Sequence, residues 1–446
     1  MNSSEYKVYH ESFMQNNHGS TALHTFFCVF FTLQCTLFCA IQQRREATNY
    51  LKEYFIIVLT MIMAHTFLSD YIYHLNIGAF LMLLKETIKR YDYLHIVSKM
   101  SGRNIYDNDR IKSISCLRGL TYLITGFCIL AVDFVDFPRH LAKTEKYGFS
   151  LMDTGVGLFV LISGLVHKNV NKKNYVAVLK GNSKFILTLV CLGVLRYFTV
   201  KQLDYHEHIS EYGVHWNFFF TLAVCKLLSS ILLVLTNKAL LLSILAIVFH
   251  EFLLYKGLQA WVFSDQPRIS LIDANREGIT SNLGYVALYL FAAYLRQLLV
   301  NNTILRYCLL KKLVILDSIL FIISYIINIY RPASRTLANA GYCSYLCTVL
   351  VTGILFMYLI EIIFLKRERT ITYSVPFILD VINKNGLLYF LICNVCTGNI
   401  NLYFKTLLLP PLATFVILNC YMIFTTCITI FVDKTLHKPN KKQKRV

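Results

Sequence analysis

Apolar runs of membrane-crossing length recur along the whole 446-residue chain, and nothing else constrains its fold as strongly. They cover residues 21–41, 54–70, 75–87, 114–133, 154–167, 184–200, 217–236, 238–255, 282–300, 313–330, 343–365, 374–393 and 404–432. A bilayer-spanning helix needs about 20 mainly apolar residues. The runs are continuous rather than alternating, which argues against a transmembrane β-barrel. Only 15% of residues are charged, whereas a soluble domain keeps about a quarter. The mean hydropathy of +0.52 agrees. The chain therefore reads as all-α, a polytopic transmembrane bundle of about thirteen spans, with the third and fifth short enough to be re-entrant. No linker or internal repeat divides it, so residues 1–446 are expected to form a single multi-pass domain.

The net charge is +19. In a soluble protein that would suggest nucleic acid; in a membrane protein it reflects basic loops. Most of the 44 Lys and Arg residues fall in alternate connections. These are 42–53, 86–113, 168–183, 237, 301–312, 366–373 and the tail 433–446. The positive-inside rule places them in the cytosol, and no nucleic-acid partner is expected. An odd number of spans then puts residues 1–20 in a lumen and leaves 433–446 as a basic cytosolic tail. In that tail Lys442 and Lys444 have the spacing of a KxKxx retrieval signal, which points to the endoplasmic reticulum. The N-terminus lacks a basic n-region and a cleavage site, so the first span is expected to act as its own insertion signal. Most of the 14 cysteines lie in apolar runs, as small apolar residues. Cys393 and Cys396 form a lone CxxC without a second pair at ligand spacing, so no metal site is expected.

Four segments on the opposite side are dense in ionisable, amide and aromatic residues. In the first, Ile129 to Gly148 continuing through Ser150 to Gly157, Asp133 ends an apolar helix and Pro138 breaks it. A carboxylate at membrane depth is a functional-site hypothesis by default, with Lys143 or Arg139 as its cationic partner. Its ordinary alternative is a helix-end ion pair that fixes the loop. The second segment, Glu211 to Phe220, sets His215, Trp216 and Asn217 beside a Phe run that could be an interfacial belt. In the third, Asp273 to Tyr285, Ser281 or Asn282 could cap the next helix, leaving Asn275, Arg276 and Glu277 for a ligand. The fourth combines Ser334 to Tyr342 with Asn383, Asn394 and Asn401, carboxamides that would be costly at membrane depth unless paired or bound to something polar. No Walker A, GxSxG or HExxH motif is present. His65 and Asp70 match an HxxxxD acyltransferase spacing, but in an apolar run without its usual context.

The stretch ILAVDFVDFPRHLAKTEKYG followed by SLMDTGVG resembles the most distinctive segment of the inositol acyltransferase family of glycosylphosphatidylinositol (GPI) anchor biosynthesis, PIG-W in mammals. EYGVHWNFFFTL, NREGITSNLGY, SRTLAN and the NKNGL and NVCTGNIN blocks occur in that family's order. KVYHESFMQNNHGST is similar to its opening, so the likeness covers nearly the whole chain. The resemblance implies thirteen spans with the motif loops in the lumen. It implies transfer of a fatty acyl group, usually palmitoyl, from acyl-CoA as co-substrate. The acceptor would be the inositol 2-hydroxyl of glucosaminyl-phosphatidylinositol in the endoplasmic reticulum. Membrane lipids would surround the protein, and no bound cofactor is needed.

On that reading Asp133 is the base and Lys143 holds and tunes it, or stabilises the oxyanion. Arg139, His140 or Arg276 would hold the lipid phosphate. Asn217, Asn275 and Asn394 would read hydroxyls, with Asp153, His215, Trp216, Glu277 and Asn401 completing the substrate site. Two other readings compete. One is a polytopic transporter, which also carries midplane charges. The other is a membrane-bound O-acyltransferase with His250 or His215 as base.

Overall fold

The computed structural model describes residues 3–42, 49–89, 100, 111–168, 175–202, 209–301, 303–364 and 375–436. Most of the basic connections used to orient the chain, and the tail beyond Leu436 with its Lys442 and Lys444, lie outside these residues. Among the described residues the structure is helical. Its one β feature is an isolated bridge between Ser20 and Phe149.

In chain order the helices are α1 (Ser3–Met14), α2 (Ala22–Gln42), α3 (Tyr50–Ala64), α4 (Ser69–Lys89), α5 (Lys112–Ala131), α6 (Leu151–Gly164), α7 (Tyr175–Gln202), α8 (Phe218–Leu235), α9 (Ala239–Val262), α10 (Arg276–Leu299), α11 (Arg306–Tyr330), α12 (Ala340–Ile363), α13 (Phe377–Lys384), α14 (Gly386–Tyr403) and α15 (Pro411–Leu436). Each of the thirteen apolar windows carries helix. Nine helices among the described residues are individually long and apolar enough to cross a membrane. The second and third windows form one pair, α3 and α4, bent by 102°. The fifth, α6, is 14 residues long. At 1.5 Å per residue that is about 21 Å, short of a hydrocarbon core.

Two boundaries differ from the sequence reading. α10 begins at Arg276 rather than near residue 282, so Ser281 and Asn282 are buried inside it and cap nothing. The twelfth window extends to Tyr403, so Asn394 and Asn401 sit on a helix and not in a loop. Side-chain amides bonding back to carbonyls one turn earlier make this possible, as Asn394 does to Phe390 at 2.7 Å and Asn399 to Val395 at 2.9 Å.

Burial ranks the helices. The most apolar window of α10 is 83% buried and that of α11 only 11%. α10 packs against α6, α8 and α9 at the centre, while α11 leans on α12 and turns Ile315, Ile319, Ile322 and Ile326 outward. In lipid no hydrophobic force drives helices together, so close approach of small residues sets the packing. A Cβ at Gly119 of α5 would collide with Leu379 of α13, and one at Gly157 of α6 with Tyr342 and Leu346 of α12.

Helices joined by single connections alternate in direction. Connections 132–150, 209–217, 263–275, 331–339 and 404–410 therefore gather at one end of the bundle, together with α1.

Candidate functional site

That end opens into a cavity of about 1220 Å³. Its rim is polar and its depth is apolar, walled by Phe26, Phe30, Leu117, Ile124, Phe159 and Phe390 among others. Nine of the thirteen nominated residues line it: Asp133, Arg139, Lys143, Trp216, Asn217, Arg276, Glu277, Asn394 and Asn401. His140, Asp153, His215 and Asn275 do not.

Asp133 lies two residues beyond the end of α5, where the chain has already left the helix ahead of Pro138. It is 4% exposed. Its Oδ2 accepts from Asn401 Nδ2 at 2.7 Å, so the amide at the end of α14 meets the carboxylate at the end of α5. The His10 Nε2 of α1 stands 3.5 Å from Oδ1. Arg139, in the turn that follows, feels the same carboxylate. Burial lowers the guanidinium's pKa, and Asp133 opposes that shift.

The ion pair expected between Lys143 and Asp133 is not formed. Lys143 Nζ meets Glu211 Oε1 at 2.6 Å. Glu211 belongs to the neighbouring connection, and only the tertiary fold brings it beside Lys143. Asn17 Nδ2 fixes the local backbone by donating to the carbonyls of Ala142 and Lys143, at 2.8 and 3.0 Å.

A second set of charges closes the rim. Glu277 receives both Arg268 terminal nitrogens, at 3.0 and 2.5 Å, and lies 3.7 Å from Arg276 Nε. Arg276 donates further to the Ser264 carbonyl and hydroxyl. Arg335 Nε donates to Asp153 Oδ1 at 2.8 Å, and both residues are 4% exposed or less. Burial alone would lower the Arg335 pKa; the Glu211 and Asp153 carboxylates overcome it and raise the group above its ordinary value. Arg335 reaches the cavity, whereas Asp153 stands behind it, also accepting from the Thr144 amide and hydroxyl at 3.1 and 2.7 Å.

Several nominated polar groups hold structure. Asn275 Oδ1 accepts from the amides of His215 and Trp216, at 2.8 and 2.9 Å, and its Nδ2 donates to Leu271. It thereby pins the 213–217 connection. The Trp216 ring lies against Gly278, where a Cβ would strike it. Asn217 caps α8, accepting from Phe219 and Phe220 and donating to Gly193 at 2.9 Å. The His215 ring packs on Tyr197. His140 packs edge-on against His24 at 4.9 Å; burial lowers its pKa and Asp70 opposes this.

Neither histidine of the competing O-acyltransferase reading reaches the cavity. His250 is fully buried, and its Nε2 lies 2.8 Å from the Leu337 carbonyl. In the HxxxxD pair, His65 is buried with its two nitrogens at the Met61 and Cys28 carbonyls, 2.7 and 3.1 Å away. Among the described residues no three His, Cys, Asp or Glu side chains are grouped so as to hold a metal ion.

Sequence reasoning missed His10, Arg268 and Arg335 as members of the rim. His10 left a trace in the i, i+4, i+7 stripe of Tyr6, His10 and Phe13, and Arg335 lay within the Ser334–Tyr342 segment without being singled out; Arg268 left none.

The family described as GWT1 matches residues 6–432. GPI-anchored wall transfer protein 1 of Schizosaccharomyces pombe is 31% identical over 94% of this chain and 97% of its own. The bovine glucosaminyl-phosphatidylinositol-acyltransferase PIGW is 34% identical over 74% of this chain and 75% of its own. The human protein of that name is 29% identical over 96% and 98%. From the first helix to the last, this chain belongs to the GWT1 family.

Proposed function

We propose that this protein is an O-acyltransferase that moves a fatty acyl group, palmitoyl in the first instance, from acyl-CoA to the inositol 2-hydroxyl of glucosaminyl-phosphatidylinositol. The observation that carries the reading is one carboxylate, Asp133, buried where a polar rim meets an apolar cavity. Relatives named glucosaminyl-phosphatidylinositol-acyltransferase supply the acceptor class.

An inositol hydroxyl is a poor nucleophile and needs a positioned base. Asp133 takes the hydroxyl proton as the oxygen attacks the thioester carbonyl carbon. The tetrahedral oxyanion forms, the carbon–sulfur bond breaks, and the CoA thiolate leaves and is reprotonated as Asp133 returns its proton. No acyl-enzyme and no bound cofactor are required. Lys143, half exposed in its pair with Glu211, is free to turn towards the oxyanion. Arg139, Arg276 and Arg268 set guanidinium groups around the rim for the lipid phosphate. The amides of Asn394 and Asn401 face sugar and inositol hydroxyls. The apolar depth takes acyl chain, reached by acyl-CoA from the far side of the bundle.

On this reading the protein works in the endoplasmic reticulum membrane, with the rim and residues 1–20 lumenal and the tail 433–446 cytosolic, as the Lys and Arg distribution along the sequence supports. Purified full-length chain given palmitoyl-CoA and glucosaminyl-phosphatidylinositol yields acylated lipid and free CoA. Asp133→Asn lowers kcat by about 10²-fold or more in protein that still folds. A transporter gives no acylated lipid, and an Asp133→Asn variant of undiminished rate removes Asp133 from the chemistry.

A further inference from the structure

Residues 3–20 precede the first long apolar helix, yet they are built into the rim. α1 turns Tyr6, His10 and Phe13 to one face, one helical turn apart. The Tyr6 hydroxyl lies 3.3 Å from Thr406 Oγ1 and accepts from the Leu407 amide at 3.2 Å. The Phe13 ring lies under the Arg139 guanidinium at 4.8 Å. His10 Nε2 stands between these anchors, 3.5 Å from Asp133 Oδ1. Beyond the helix, the Asn16 amide donates to Glu145 at 2.6 Å. Tyr6, His10 and Gln15 line the cavity.

Asp133 thus has Asn401 on one oxygen and His10 on the other. Each carboxylate oxygen carries two lone pairs. Asn401 sets the carboxylate from one side by a hydrogen bond and His10 faces it from the other, which leaves lone pairs on both oxygens for a hydroxyl. The His10 side chain is 31% exposed against 5% for Asp133, so the ring sits at the mouth and the carboxylate below it.

We propose that α1 is a working part of the acyl-transfer site: His10 holds Asp133 in line with the acceptor hydroxyl, opposite Asn401, and the helix covers the lipid headgroup. This rests on the acyltransferase reading of the cavity. His10 acts through Asp133 and is a positioning residue.

The test is steady-state acyl transfer by the purified full chain, with palmitoyl-CoA and glucosaminyl-phosphatidylinositol, in His10→Leu and His10→Gln. His10→Leu lowers kcat about tenfold and changes KM for the lipid less than about twofold. His10→Gln, which sets an amide N–H near the place of Nε2, recovers most of the rate. Wild-type kcat in His10→Leu, equal losses in both variants, or a loss confined to KM overturns the proposal. Should His10→Leu not fold, Tyr6→Ala, which undocks α1 without touching Asp133, must show the same fall in kcat, and normal turnover there is equally fatal. A wild-type chain that makes no acylated lipid sinks the acyltransferase reading itself; an active wild type with an indifferent His10 sinks only this proposal.

Discussion

Two buried carboxylates in the same region do different things, and their neighbours explain why. Asp153 is locked: Arg335 lies on one oxygen and Thr144 on the other. Asp133 has an amide and a distant imidazole, which leave room for a substrate. Removing one half of a buried ion pair strands the other charge, at a cost of about 3–5 kcal/mol. Arg335→Met is therefore expected to lower the unfolding temperature in detergent sharply, and Asp153→Asn less, because Glu211 still offsets the Arg335 charge and the amide can still accept from Thr144. Comparable shifts in both variants would mean that Glu211 contributes little to holding the Arg335 charge. At this scale the sequence was informative about charge and silent about partners. Asp133 stood out because a carboxylate at the end of an apolar run is rare. Lys143 could not be matched to Glu211, since the two residues lie on connections brought together only in space. Asn217 and Asn275 looked like ligands because an amide that caps a helix and one that binds a sugar are the same residue type.

The helices were legible as elements, and their polar ends were not. The length of the apolar runs placed helix in every window, but α10 begins in charged residues and α14 ends in amides, both of which read as loop. Asn275 shows what such a residue contributes, since one side chain satisfies two amides of another connection. Asn275→Ala leaves both unsatisfied and is expected to cost about 1–3 kcal/mol. The chain has two tryptophans, so in a Trp261→Phe background the fluorescence of Trp216 reports on this joint directly. A red shift and a lower unfolding temperature on adding Asn275→Ala are expected, and unchanged emission would show that the connection is held by other contacts. Asn217→Ala removes the α8 cap, at about 1 kcal/mol.

Over the whole molecule, alternating helix direction does the assembly. Connections distant in sequence reach the same end because each helix reverses the last, and the cavity forms where five of them and α1 converge. Val135, 49% exposed beside Asp133, offers a direct check on sidedness. A Val135→Cys protein lacking its other reactive thiols is expected to take up a membrane-impermeant maleimide in sealed microsomes only when the reagent is inside. Labelling from the cytosolic face would invert the proposed orientation. What the sequence by itself determined was the solvent and the elements, because long apolar runs can satisfy their backbone in lipid only as helices. It also marked the end of the molecule where polar residues are concentrated, because charge sorts by connection. Only the tertiary structure decided which of those residues share a cavity. It set Asn401 and His10 on Asp133, turned Lys143 to Glu211 and put Asp153 behind Arg335. Such pairings depend on how helices cross and how small residues let them approach, and neither is written in the local pattern of any one segment.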